Sequence, residues 1–153
     1  MNSAAKKYLV FNAAGLALAA PTEHVKTVHE VLEVQSVDGT KPWFRGLAVS
    51  DGKLLPVTDI GAFCGRRSCS GRTLELPRRV ALAGLQIDSV VGVYHASVED
   101  VPFDSAEMTH SGDVNLTLTT RSIMHDDRVH RLLDIPTLVQ SPVFLNIVDM
   151  QPS

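Results

Sequence analysis

Apolar and polar residues alternate through four stretches of the chain, Val28–Val34, Arg79–Ile87, Val90–Tyr94 and Asn115–Met124. A period of two sends successive side chains to opposite faces, so each stretch predicts a strand, and the preference of Val and Leu positions for pleated surfaces agrees. Tyr8-Leu9-Val10-Phe11 and the Ala-rich run to Ala20 read as a further hairpin, with Asn12 and Gly15 interrupting them where a turn would sit. From Trp43 to Ile60 an apolar strand, an Asp51-Gly52 turn and a second apolar strand follow one another. Asp-Gly suits a tight type I′ hairpin because Gly tolerates positive φ. Helical signals are short. Asp59 and Asp134 are positioned as N-caps for helices at Ile60–Phe63 and Ile135–Val139, with Pro136 in a first turn where its missing N–H is harmless. Many short strands at spacings of about ten residues point to barrels or a sandwich.

The pattern repeats. Laying Asp59 on Asp134 places Asp51-Gly52-Lys53-Leu54-Leu55 on Asp126-Asp127-Arg128-Val129-His130 without a gap, and Val57-Thr58-Asp59-Ile60 on Leu132-Leu133-Asp134-Ile135. A fainter echo relates Glu23-His24-Val25-Lys26-Thr27-Val28 to Asp88-Ser89-Val90-Val91-Gly92-Val93. One supersecondary plan used twice predicts two similar subdomains, at about 7–65 and 72–140, within a single domain over 5–145. Cys64 to Arg72 passes between them, and Ala96 to Asp113, with Pro102 and Gly112, is a long surface connection.

Composition narrows the function. A net charge of −3 over 153 residues, with Lys and Arg scattered, gives little support for nucleic-acid binding. Lys6-Lys7 ahead of an apolar, Ala-rich run imitates an export signal, but Asn12 and Gly15 break it as a hairpin would, and the reading is a cytoplasmic protein. Cys64 and Cys69 lack the further ligands zinc requires and read as free thiols. The histidines at 24, 29, 95, 110, 125 and 130 form no metal-binding or catalytic spacing and read as surface residues. No Gly-x-Ser-x-Gly elbow or phosphate-binding loop occurs, Gly84 and Gly92 stand singly as marks of a bulge or close backbone approach, and the acidic pairs Glu99-Asp100 and Asp126-Asp127 fall in turns. No metal or cofactor is expected, and surface recognition is the default.

Tyr8-Leu9-Val10-Phe11, Arg45-Gly46, Asp51-Gly52, Pro56-Val57-Thr58-Asp59-Ile60 and Gly84-Leu85-Gln86-Ile87-Asp88-Ser89-Val90 together resemble the CheW family of chemotaxis adaptors, from Tyr8 to about Leu138. Val90-Val91-Gly92-Val93, Leu132-Leu133-Asp134-Ile135 and Ser141-Pro142-Val143-Phe144-Leu145 are most similar to its PilI type, which serves the chemotaxis-like pathway controlling type IV pili. The resemblance implies an all-β fold of two five-stranded SH3-like β-barrels around a shared core with short helices. It also implies a non-enzymatic adaptor joining a CheA-type histidine kinase to the cytoplasmic tip of a methyl-accepting chemoreceptor, without nucleic acid or membrane insertion.

Carried over position by position, the partner-binding strip comprises Thr22, Val25 and Thr27, with Arg45 and Asp51 on the neighbouring hairpin and Ala83 and Ile87 in the second barrel's wall. The family usually has Arg where Asp51 stands and often Glu where Thr27 stands, so the partner surface is expected to carry different charge. Each position also has a structural reading: Asp59 caps a helix, Gly46 permits strand packing, and Val25 and Ile87 fill a core. The alternatives are a flagellar chemotaxis adaptor of the same fold, a small hydrolase with an unrecognised site, and an exported binding domain.

Overall fold

The computed structural model describes residues 6–98 and 118–148. In chain order the strands are β1 (Lys6–Ala13), β2 (Leu16–Pro21), β3 (Thr27–His29), β4 (Phe44–Ser50), β5 (Lys53–Asp59), β6 (Thr73–Glu75), β7 (Gly84–Gln86), β8 (Ser89–Ala96), β9 (Leu118–His125) and β10 (Arg128–Leu133). Three short helices, α1 (Ile60–Phe63), α2 (Ile135–Gln140) and α3 (Pro142–Leu145), and a 3-10 turn at Thr22–His24 complete the described elements.

Local chemistry forms the expected turns and caps. Asp51 and Gly52 have φ of 52° and 74°, and Asp126 and Asp127 have 53° and 62°, so both hairpins turn through paired left-handed residues. Asp59 Oδ1 accepts from Ala62 N at 3.1 Å to cap α1, and Asp134 Oδ1 accepts from Thr137 N at 3.1 Å to cap α2. Gly92 lies beside a register shift in the β1–β8 pair, and a Cβ there would lie 2.7 Å from the Tyr94 hydroxyl.

The strands form two five-stranded sheets. The terminal sheet has the order β8-β1-β2-β10-β9 and the middle sheet β3-β6-β7-β5-β4. This corrects the expected division at 7–65 and 72–140. Both halves do run hairpin, strand, hairpin, capped helix, but they exchange their opening hairpins: β1–β2 completes the sheet of β8–β10, and β6–β7 completes that of β3–β5. In each sheet the lent hairpin joins by a parallel pairing, β2 with β10 and β7 with β5. A backbone sheet edge pairs with whatever strand reaches it, so tandem order in sequence does not determine who pairs with whom.

Two expected strands are shorter than their alternation suggested. Val28–Val34 is strand only to His29, because its partner β6 begins at Thr73, and just upstream the linker turns away to place Ser70 N on Asp88 Oδ1 and Gly71 N on Ile87 O. Arg79–Ile87 is strand only from Gly84, because Pro77 O accepts from Val80 N and Ala81 N and curls that segment into a turn. Of Asn115–Met124, residues 115–117 lie outside the described residues, as do Glu99-Asp100 and His110.

The main core lies between the sheets, where Phe11, Leu18, Ile60, Leu74, Leu85, Ile87, Ile135 and Leu138 pack in one cluster. Each sheet also encloses a small interior of its own: Tyr8, Val10, Ala19 and Ile123 in the terminal sheet, and Ala48, Leu55 and Val57 in the middle one. Trp43, Phe63 and Phe144 clasp α3 to the middle sheet, with ring centroids 5.0 to 6.3 Å apart. Cys64 and Cys69 are free, as expected, and buried. Burial pushes their thiols up to about 11 and about 12, leaving little thiolate for chemistry. His130, read as a surface histidine, is instead buried, with its ring 6.3 Å from that of His125.

Candidate partner-binding surface

The middle sheet opens at a mouth where edge strand β3 faces the tip of the β4–β5 hairpin. Thr27 and Asp51 are both exposed there. Between them lies the buried carboxylate of Glu75, opposite Thr27 in the β3–β6 register. Its Oε1 accepts from Ser50 Oγ at 2.7 Å and lies 2.8 Å from His29 Nε2, while Lys26 Nζ sits 3.7 Å from Oε2. The same Lys26 ammonium reaches Asp51 Oδ2 at 3.3 Å. Burial pushes the Glu75 carboxyl up, but the hydrogen bonds from His29 and Ser50 and the Lys26 charge outweigh it and hold it below its ordinary value. Three strands and a turn are thus tied by one anion, and the mouth is fixed in shape.

The remaining expected positions are spread around the barrel. Arg45 is exposed at the opposite end of β4 from Asp51, about 20 Å away at the usual rise per strand residue. Its guanidinium comes to 4.0 Å from Oδ2 of Asp59. Asp59 is fully buried and accepts from Cys69 N at 3.0 Å besides capping α1. Thr22 sits in the 3-10 turn, and its carbonyl accepts from Val25 N at 3.1 Å, while Val25 packs its side chain against the main core. Ala83 is buried but lines an apolar groove of about 180 Å³ with Phe44, Pro56, Leu82, Phe144 and Leu145. Ile87 is fully enclosed in the shared core, so it stands behind a surface and not on one. The fold brings Thr27 and Asp51 together; it does not bring Arg45, Ala83 or Ile87 to the same mouth.

Sequence reasoning missed Lys26, His29, Ser50 and Glu75. Their partners are 25 and 46 residues apart along the chain, and no spacing rule joins them. Leu82 and Leu145 were missed too, Leu82 because Arg79–Ile87 read as a strand, and they are 48% and 62% exposed. Among the described residues no group of three or more His, Cys, Asp or Glu is placed to hold a metal ion, and no helix is long and apolar enough to cross a membrane.

Comparison with known proteins matches residues 7–143 to the CheW-like domain. Protein PilI of Pseudomonas aeruginosa is 30% identical over 93 residues, covering 58% of this chain and 52% of that protein, so the chain spans about half the length of the curated relative it matches. The crystal structure of the scaffolding protein TtCheW from Thermoanaerobacter tengcongensis superposes with a TM-score of 0.73 at 20% identity, over 91% of this chain and 95% of that one. The fold is therefore the expected pair of five-stranded SH3-like barrels with few short helices.

Proposed function

The chain belongs to the CheW-like family of non-enzymatic scaffold proteins, and from that premise we propose that it is a cytoplasmic adaptor coupling the tip of a methyl-accepting chemoreceptor to a CheA-type histidine kinase in a chemotaxis-like pathway controlling type IV pili. The similarity to Protein PilI carries the choice of pathway. An adaptor must hold two partners at a fixed orientation, and two stiff barrels sharing one core suit that task while their hairpin tips and grooves stay available for contact. Interfaces of modest individual strength suffice when an array repeats them.

In this reading Thr27 and Asp51 meet a partner at the mouth of the middle barrel, Thr22 and Val25 shape the approach to β3, and Arg45 forms a separate contact at the far end of β4. Ala83 lines the apolar groove, and Ile87 supports its wall from within. Asp51, standing where the family usually has Arg, selects a partner of different charge at that turn.

Reconstitution tests the proposal. The chain is mixed with the receptor-tip fragment and the kinase of the pilus pathway from its own organism, and autophosphorylation and co-sedimentation are measured. Receptor control of the kinase that depends on the chain is the expected result. A chain that binds neither protein ends the adaptor reading, and one that couples only flagellar partners moves it to the other pathway.

A further inference from the structure

Beside Glu75 lies a pocket of about 180 Å³ walled by Lys26, Lys53, Arg78, Asp51 and Leu82. Its charges do not balance internally. Both carboxylates are engaged, Asp51 by Lys26 and Glu75 by Lys26, His29 and Ser50. Lys53 and Arg78 have no ion-pair partner among the described residues. A cationic group entering the pocket would meet three positive side chains and find both carboxylates already paired with Lys26, whereas an anion would find two unspent cations.

Leu82 is the wall this pocket shares with the apolar groove of Phe44, Pro56, Phe144 and Leu145. An apolar recess and a cationic one therefore adjoin across a single half-exposed leucine. The geometry points to a two-part recognition site for a protein segment that sets a carboxylate between Lys53 and Arg78 and lays a neighbouring apolar side chain over Leu82 into the groove. This rests on the adaptor reading and names the chemistry of the partner's contact. Covering Leu82 and Leu145 removes apolar surface from water, and the same cover desolvates the ion pair, which strengthens it beyond an open surface pair.

The test is titration calorimetry of the chain against the receptor-tip fragment and against the kinase's regulatory domain. Arg78→Glu and Lys53→Glu each weaken binding of one of these fragments about tenfold or more, as charge reversal facing a desolvated partner charge does. Leu82→Asp weakens the same fragment, and Arg78→Lys stays within about threefold because the charge is kept. Added salt weakens the wild-type complex more than the complex of the doubly reversed chain. Melting curves of Arg78→Glu and Lys53→Glu match the wild type, since both side chains are exposed. Wild-type binding that both reversals leave within about twofold overturns this inference and spares the adaptor reading. A wild-type chain that binds neither fragment overturns both.

Discussion

The two barrels are built to one plan, yet each places a polar residue where the other has an apolar one. In the middle barrel Glu75 pairs opposite Thr27; in the terminal barrel the echo sets Gly92 on Thr27, and Gly92 pairs opposite Val10, which is fully buried. Conversely Leu55, fully enclosed in the middle barrel, corresponds to His130 in the terminal one. Glu75 is met by His29, Ser50 and Lys26. His130 lies buried, and among the described residues its Nδ1 has no hydrogen-bond partner. A polar side chain inside a small barrel is stabilising only where other strands bring it donors or acceptors, and the middle barrel does so for Glu75 at the mouth that carries the candidate partner surface.

Putting the middle barrel's residue into the terminal barrel is the harshest way to break that comparison. Val10→Glu buries a carboxylate in the apolar cluster of Tyr8, Ala19 and Ile123 and lowers the unfolding free energy by about 4 kcal/mol, the usual scale for an uncompensated buried charge. Urea unfolding at neutral pH measures this, and a loss under about 1 kcal/mol would show that the terminal barrel can supply partners after all.

The twin caps give the next effect. Asp59→Ala removes a fully buried carboxylate that serves Ala62 N and Cys69 N, whereas Asp134→Ala removes a half-buried one serving Thr137 N. The first loss is about 3 kcal/mol and the second about 1. Equal losses would mean that the Cys69 contact adds nothing.

Acid separates the barrels further. Burial, with help from Arg128 and His125, holds His130 below its ordinary 6.5, so the unfolded chain takes up this proton first. Its contribution is intact above pH 6.5 and declines as pH falls below that. Glu75 is held below its ordinary 4.5, so its contribution is present above that pH and is lost as pH falls through the lower folded value. Melting temperature against pH should therefore fall less steeply below pH 6.5 in His130→Leu and less steeply below pH 4.5 in Glu75→Gln, where Asp88, also held low, keeps part of the slope. Unchanged slopes would disconnect the two residues from acid sensitivity.

The smallest effect on stability belongs to Asp51→Arg. The Lys26–Asp51 pair is exposed, and breaking it costs under about 1 kcal/mol. Binding is the sensitive readout, since the change adds a cation beside Lys26, Lys53 and Arg78. Unaltered affinity for both the kinase and the receptor fragment removes Asp51 from the surface.

Much of this architecture was legible in the chain. The Asp-Gly turn, both aspartate caps and the two-fold plan each depend on residues within a few positions of one another, and local chemistry fixed them. The gapless alignment even set His130 on Leu55, which signals its burial more strongly than its residue type signals exposure. The hairpin exchange was not legible, because backbone donors and acceptors carry no label saying which half they belong to. Nor was the Glu75 cluster, assembled from strands that meet only in the folded barrel. Of the named partner positions, Thr27 and Asp51 are exposed as their polar, turn-like context suggested, while Ile87 went to the core, as its apolar type favours.

The lent hairpins also order events during synthesis. The middle barrel spans one continuous stretch, from β3 to β7, and can close while the ribosome is still working. The strands β1 and β2 leave the ribosome before that barrel, yet their neighbours β8 and β10 are made after it is complete. Until then the apolar hairpin of Tyr8 to Ala20 is a nascent segment with both sheet edges and one face unfilled, which makes it the natural place for a chaperone to hold the growing chain.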